Sequence, residues 1–108
     1  MFKRISAQQA QQQLANGAVL VDIRDANTFA AGHVPGAINL NNQNVQQFLQ
    51  DTAPDAPVLV MCYHGHSSQN AAQFLLQNGF SDVSSVDGGF EIWKLSFPVS
   101  LQANHEAE

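Results

Sequence analysis

Two short apolar runs constrain the fold of this chain more than any other feature. Ala18–Ile23 (AVLVDI) follows Gly17, and Val58–Cys62 (VLVMC) follows Pro54 and Pro57. Runs this short, rich in branched residues and without polar alternation, read as strands buried on both faces. Burial on both faces is the mark of a parallel sheet with helices covering it.

The segments between the strands read as helices. Ser6 is a predicted N-cap for a helix over Ala7–Asn16, with Gly17 as its stop. Asp25–Ala31 is a predicted short helix closed by Gly32, and Val34-Pro35-Gly36 is a turn before a short strand, Ala37–Leu40. A helix over Val45–Asp51 precedes the second apolar run, and another over Ser67–Asn78 follows it, capped by Gly79. Val83–Val86 is a further strand, Gly88-Gly89 a break, and Phe90–Leu95 a last helix. The alternation predicts an α/β fold with an open, mostly parallel sheet and helices on both faces.

A chain of 108 residues fits one domain, 1–108, large enough to bury a core without disulfide or metal staples. Its ordered core is expected over about residues 3–98, with a polar flexible tail over 99–108. The four basic residues, Lys3, Arg4, Arg24 and Lys94, face nine acidic ones. So few cations cannot form a nucleic-acid-binding patch or an attachment to an anionic membrane. The longest apolar run is far too short to span a bilayer, and no signal-peptide pattern follows Lys3 and Arg4, so a cytoplasmic location is expected. The single cysteine excludes an internal disulfide, two-cysteine redox chemistry and a cysteine-based zinc cluster, and no cofactor or metal is expected.

That cysteine stands where chemistry is possible. In Val58–Asn70 (VLVMCYHGHSSQN) a buried strand ends at Cys62, a loop containing Gly65 follows, and a helix starts near Ser67. Ligands bind at the carboxyl ends of strands in parallel α/β sheets, and a helix N-terminus presents free N–H groups and partial positive charge. A loop curled around the sulfur would aim amides at it and lower the thiol pKa from about 8.5 toward neutrality. A buried structural cysteine would give the same local pattern.

CYHGHS resembles the six-residue active-site loop of the rhodanese sulfurtransferases. VDIRDANTFAAGHVPGAINL resembles the first signature of that family, a strand ending in Asp-x-Arg that leads to Gly-His-x-Pro-Gly-Ala, and GFSDVSSVDGGFEIW its closing signature. The three motifs lie in the family's order and cover roughly Ser6 to Phe97. The resemblance implies a single rhodanese-like domain whose five-stranded parallel sheet is flanked by helices on both faces. It implies transfer of sulfane sulfur from thiosulfate to cyanide or to a thiol acceptor such as thioredoxin, through a persulfide on Cys62.

On that reading Cys62 is the catalytic nucleophile. The backbone N–H groups of Tyr63, His64, Gly65, His66 and Ser67 form the substrate cradle, with Gly65 at positive φ. Ser67 serves either as a hydroxyl donor to the persulfide or as helix N-cap. His64 and His66 are the loop's only potential cations, either substrate contacts or solvent-exposed; many rhodaneses carry Arg or Lys here. Arg24 is either a positive group at the pocket rim or one half of a structural ion pair, and Asp22 braces that first loop. His33 is expected to be scaffold, Phe90 and Trp93 packing, and Gly88 and Gly89 points of close backbone approach.

Other functions compete. Dual-specificity phosphatases share the fold implied, but their loop is one residue longer and ends in Arg, where this chain has Ser68. Without that Arg a phosphoryl transition state lacks its clamp. A non-catalytic persulfide carrier, delivering sulfur only to a protein partner, is the remaining alternative.

Overall fold

The computed structural model describes residues 1–101. Ten elements run in order: β1 (Lys3–Ile5), α1 (Ala7–Ala15), β2 (Val19–Asp22), α2 (Ala26–Ala31), β3 (Ile38–Asn39), α3 (Val45–Asp51), β4 (Val58–Met61), α4 (Ser67–Gln77), β5 (Val83–Val86) and α5 (Gly89–Ser96). The strands form one five-stranded sheet in the order β1-β5-β4-β2-β3, with every pairing parallel. Among the described residues no helix is long and apolar enough to cross a membrane.

The central strand explains the double burial. All four residues of β4 are buried, and alternation sends them to opposite faces. Leu59 and Met61 pack with Ala7 and Ala10 of α1 and Phe90 and Trp93 of α5. Val58 and Val60 pack with Phe48 of α3 and Ala72 and Leu75 of α4. Each face thus has its own apolar layer, and the strand can carry no polar side.

Helix starts follow local chemistry. Ser6 and Gln9 form a capping box at α1: Gln9 N–H donates to the Ser6 hydroxyl at 3.1 Å, and Ser6 N–H to the Gln9 side chain at 2.8 Å. Asp25 caps α2 by accepting from Thr28 N–H at 3.1 Å.

Two features depart from the residue-by-residue reading. β1 is a strand that the sequence pattern does not announce, because only Ile5 of its three residues is buried. It pairs with β5 at the sheet edge, held also by exposed ion pairs from Lys3 to Asp82 (3.0 Å) and Arg4 to Asp87 (2.9 Å). Two of the four cations are thereby committed to the edge. Backbone pairing also occurs past residue 98: Ser100 forms an antiparallel bridge with His33, with N–H···O distances of 2.7 and 2.9 Å. The backbone hydrogen bonds hold this first part of the expected tail, and its remainder, 102–108, lies outside the described residues.

Candidate active site

β4 ends at Met61, so Cys62 is the first residue beyond the sheet at its carboxyl edge. The residue is 6% exposed.

The sulfur is surrounded by donors. Gly65 N–H donates to Cys62 Sγ at 3.1 Å and Ser68 N–H at 3.2 Å, and Ser68 Oγ lies 3.3 Å away. Ser68 is in the first turn of α4, so its amide is one of the helix's unpaired donors. Gly65 reaches its position with φ at +92°, and a Cβ there would meet the backbone N of Gly88 at 2.7 Å. Burial pushes the Cys62 thiol pKa up. The Ser68 hydroxyl and the N–H groups of Ser68, Gly65 and His64 outweigh burial and bring the thiol below its ordinary range.

A second helix supports the loop from behind. Phe90 N–H donates to the carbonyl of Cys62 (2.8 Å) and Glu91 N–H to that of Tyr63 (3.0 Å). With these carbonyls tied to α5, the following amides are left to face the sulfur. The approach is close enough that a Cβ on Gly89 would lie 2.3 Å from the Cys62 carbonyl oxygen. Gly88 and Gly89 are both at positive φ.

The remaining predicted residues separate by position. Among the described residues, the groups acting on the sulfur are Gly65 and Ser68, with the His64 N–H beside them, and not Tyr63, His66 or Ser67. Ser67 is exposed, and the residue at the N-cap of α4 is His66, with no side-chain cap bond, so Ser67 is not the helix N-cap. His64 and His66 are exposed. His64 Nδ1 lies 2.7 Å from Glu91 Oε1, and Lys94 Nζ donates to the Tyr63 hydroxyl at 3.2 Å. The loop's rim therefore has Glu91 and Lys94 of α5 beside it.

Arg24 and Asp22 are a buried pair. Arg24 Nη2 lies 2.7 Å from Asp22 Oδ2, Nε donates to both Asp22 oxygens, and Nη2 also donates to the Gly32 carbonyl at 2.8 Å. The guanidinium stacks on Phe90, 4.0 Å from the ring centroid. All of this ties the first loop to α5, the helix that supports the cysteine loop, and leaves Arg24 as scaffold. His33 is scaffold too, its Nδ1 2.8 Å from the Phe29 carbonyl and its ring stacked on Phe29.

The sequence reading missed Ser68 as a sulfur contact. A signal existed: Ser68, Ala72 and Leu75 form the buried stripe of α4, and a serine on that stripe, a few residues after the cysteine, must point inward. Glu91 and Lys94 had no local signal, since only the tertiary fold brings α5 to the loop. A cavity of about 560 Å³ opens near the ends of β2 and β3, between Ile23, Leu40, Val45 and Phe74, and Cys62 does not line it. The chemistry is located by the sulfur's donors, not by cavity size.

A cysteine at the carboxyl end of a parallel strand, its sulfur cradled by a loop and a helix start, defines a single-cysteine α/β domain with hydrogen-bonding groups gathered on that sulfur. Comparisons give the family. The Rhodanese-like domain model matches residues 6–96, and the chain belongs to that family. It is 55% identical over 106 residues to a thiosulfate sulfurtransferase GlpE of Pseudomonas entomophila (strain L48), covering 97% of both chains. It is 55% identical over 97 residues to the same-named protein of Ectopseudomonas mendocina (strain ymp), covering 90% of this chain and 89% of that one. Among solved structures, a rhodanese-related protein from Thermoplasma volcanium superposes with a TM-score of 0.78 at 26% identity, covering 93% of this chain and 99% of that one.

Proposed function

We propose that this chain is a thiosulfate sulfurtransferase working by double displacement through a persulfide on Cys62. The observation that carries the reading is the set of groups on the Cys62 sulfur, two donating amides and the Ser68 hydroxyl, all within 3.3 Å. The relatives' name supports the substrate.

In the first step the Cys62 thiolate attacks the outer sulfur of thiosulfate. The sulfur–sulfur bond breaks, sulfite leaves with the electron pair, and a persulfide anion remains on the enzyme. In the second step the acceptor, cyanide or a thiolate, attacks that outer sulfur. Cys62 leaves as thiolate, and thiocyanate or a new persulfide departs. The sulfur moves at the sulfane level from thiosulfate to Cys62 and on to the acceptor, so no outside oxidant or reductant is needed, and no proton is abstracted once thiol and acceptor are ionised.

The loop amides supply charge-assisted hydrogen bonds to whichever sulfur carries the charge. Gly65, Ser68 and His64 act on Sγ, and the N–H groups of Tyr63, His66 and Ser67 are assigned to the outer sulfur or to the departing sulfite. His64 and His66 at the rim supply what positive charge the loop can offer. Distant carboxylates are screened beyond a Debye length of about 8 Å, so the acidic balance does not forbid an anionic substrate. The partners are thiosulfate and an acceptor that is cyanide or a thiol, thioredoxin among the candidates, without nucleic acid or membrane, and the location is cytoplasmic.

The test is Cys62→Ser. Thiosulfate-to-cyanide transfer is expected to vanish while the far-ultraviolet spectrum stays unchanged, and retained turnover would end the proposal. If wild-type Cys62 carries a persulfide supplied by another protein but never loads from thiosulfate, the chain is the non-catalytic carrier instead.

A further inference from the structure

Behind Ser68 lies a second hydroxyl that the mechanism above does not use. Ser85 belongs to β5, is 0% exposed, and its Oγ is 2.7 Å from Ser68 Oγ. Ser68, also 0% exposed, stands 3.3 Å from Cys62 Sγ. Sulfur, first hydroxyl and second hydroxyl thus form a chain of two links closed from solvent at its inner end.

A hydroxyl carries a single hydrogen. An ionised sulfur can only accept, so in that state the two hydroxyl hydrogens must serve the two contacts, at 3.3 and 2.7 Å, with Ser85 donating to Ser68 and Ser68 to sulfur. With the sulfur protonated, a third hydrogen enters and one is left without a link. If the chain reverses, the Ser85 hydrogen is stranded in the core, where an unmatched donor costs about 1–3 kcal/mol. If the S–H turns away instead, Ser68 donates to a neutral sulfur, a weak acceptor.

We propose that Ser85 is a positioning residue acting through Ser68: its hydroxyl hydrogen, held on Ser68 Oγ, directs the Ser68 hydrogen onto the Cys62 sulfur and so favours the anion over the thiol. The proposal rests on Cys62 being the sulfur-carrying nucleophile and names the groups that keep it ionised. The same chain makes Cys62 a better leaving group when the acceptor strips the persulfide.

Charged neighbours do not offer a rival cause. α4 and β5, which supply Ser68 and Ser85, carry no titratable side chain. On the loop His64 and His66 are exposed, and from α5 Glu91 is engaged by His64 and Lys94 by Tyr63. On the β2 side Asp22 and Arg24 neutralise each other, and beyond β5 Asp87 is held by Arg4.

The experiment follows the rate of Cys62 alkylation by iodoacetamide against pH in the full chain, for wild type, Ser68→Ala, Ser85→Ala and the double variant. Ser85→Ala is expected to raise the midpoint and slow neutral-pH alkylation about two- to tenfold, the size of one hydrogen bond between neutral groups. The double variant is expected to be no worse than Ser68→Ala alone, because Ser85 acts only through Ser68. Ser85→Thr restores the hydroxyl and is expected to bring the midpoint back, whereas Ser85→Val, of like shape, is not; this pair answers the question if Ser85→Ala does not fold. A wild-type midpoint in folded Ser85→Ala or Ser85→Val, or additive losses in the double variant, would overturn the proposal. Thiosulfate loading of the wild-type chain is read separately, so failure of the nucleophile reading is distinguishable from failure of the Ser85 role.

Discussion

The N–H of Phe90 donates to the carbonyl oxygen of Cys62 at 2.8 Å, so the N-terminus of α5 holds the back of the loop whose front faces the sulfur. This contact depends on Gly89, at φ +57° with no room for a Cβ beside the Cys62 and Tyr63 carbonyls. Gly89→Ala must push α5 and the loop apart. The variant is expected to lose about 1–3 kcal/mol of stability, as strained φ and displaced backbone require. Its Cys62 alkylation at neutral pH should slow as well. Urea unfolding together with alkylation rates checks both, and a variant with wild-type reactivity would show that α5 does not order the donors.

The buried pair predicts a different signature. Arg24→Ala leaves Asp22, 0% exposed, without its guanidinium, and is expected to cost about 3–5 kcal/mol. Arg24→Lys should recover only part, since an ammonium cannot donate bidentately and cannot stack on Phe90 as a plane. Asp22→Asn combined with Arg24→Met should cost less than Arg24→Ala, because no unpaired charge remains. Thermal unfolding of the three variants measures the order.

The Cys62 thiol links stability to pH, and the sign is fixed by the direction of its shift. Its folded pKa is lowered by hydrogen bonds from Ser68, Gly65 and His64 that outweigh burial. A lowered pKa adds stability in full above the unfolded thiol value, about 8.5, and that increment disappears as pH falls through the folded value. The stability of wild type relative to Cys62→Ser should therefore rise from acid pH to about pH 9. Urea titrations at several pH values give the trend, and a flat difference would contradict the shift.

His64 and His66 are exposed on the loop with Lys94 near its rim. Replacing both histidines with Gln is expected to raise the thiosulfate KM severalfold with a smaller effect on kcat, because they attract the substrate and do not touch the breaking bond. Steady-state kinetics decides, and an unchanged KM would assign all of the binding to the backbone.

Much of this architecture was legible in the residues. Val58–Met61 read as a doubly buried strand because it has no polar position, and both layers packed on it are present. Val45–Asp51 and the capped start of α1 were legible from spacing and from Ser6. β1 was not, since a strand of Lys, Arg and Ile at a sheet edge owes its form to β5 and not to its own pattern. At the candidate site the cysteine, the glycine turn and the helix start could be read locally. The Ser68–Ser85 contact could not, because it joins α4 to β5 across the sheet and only the packed fold sets its distance.

Intact-mass measurement after incubation with thiosulfate tests the central claim most directly. The account predicts that the wild-type chain gains the mass of one sulfur atom, that cyanide removes it, and that Cys62→Ser gains nothing. A wild-type chain that stays at its own mass after prolonged incubation, or an adduct that survives on Cys62→Ser, would contradict it.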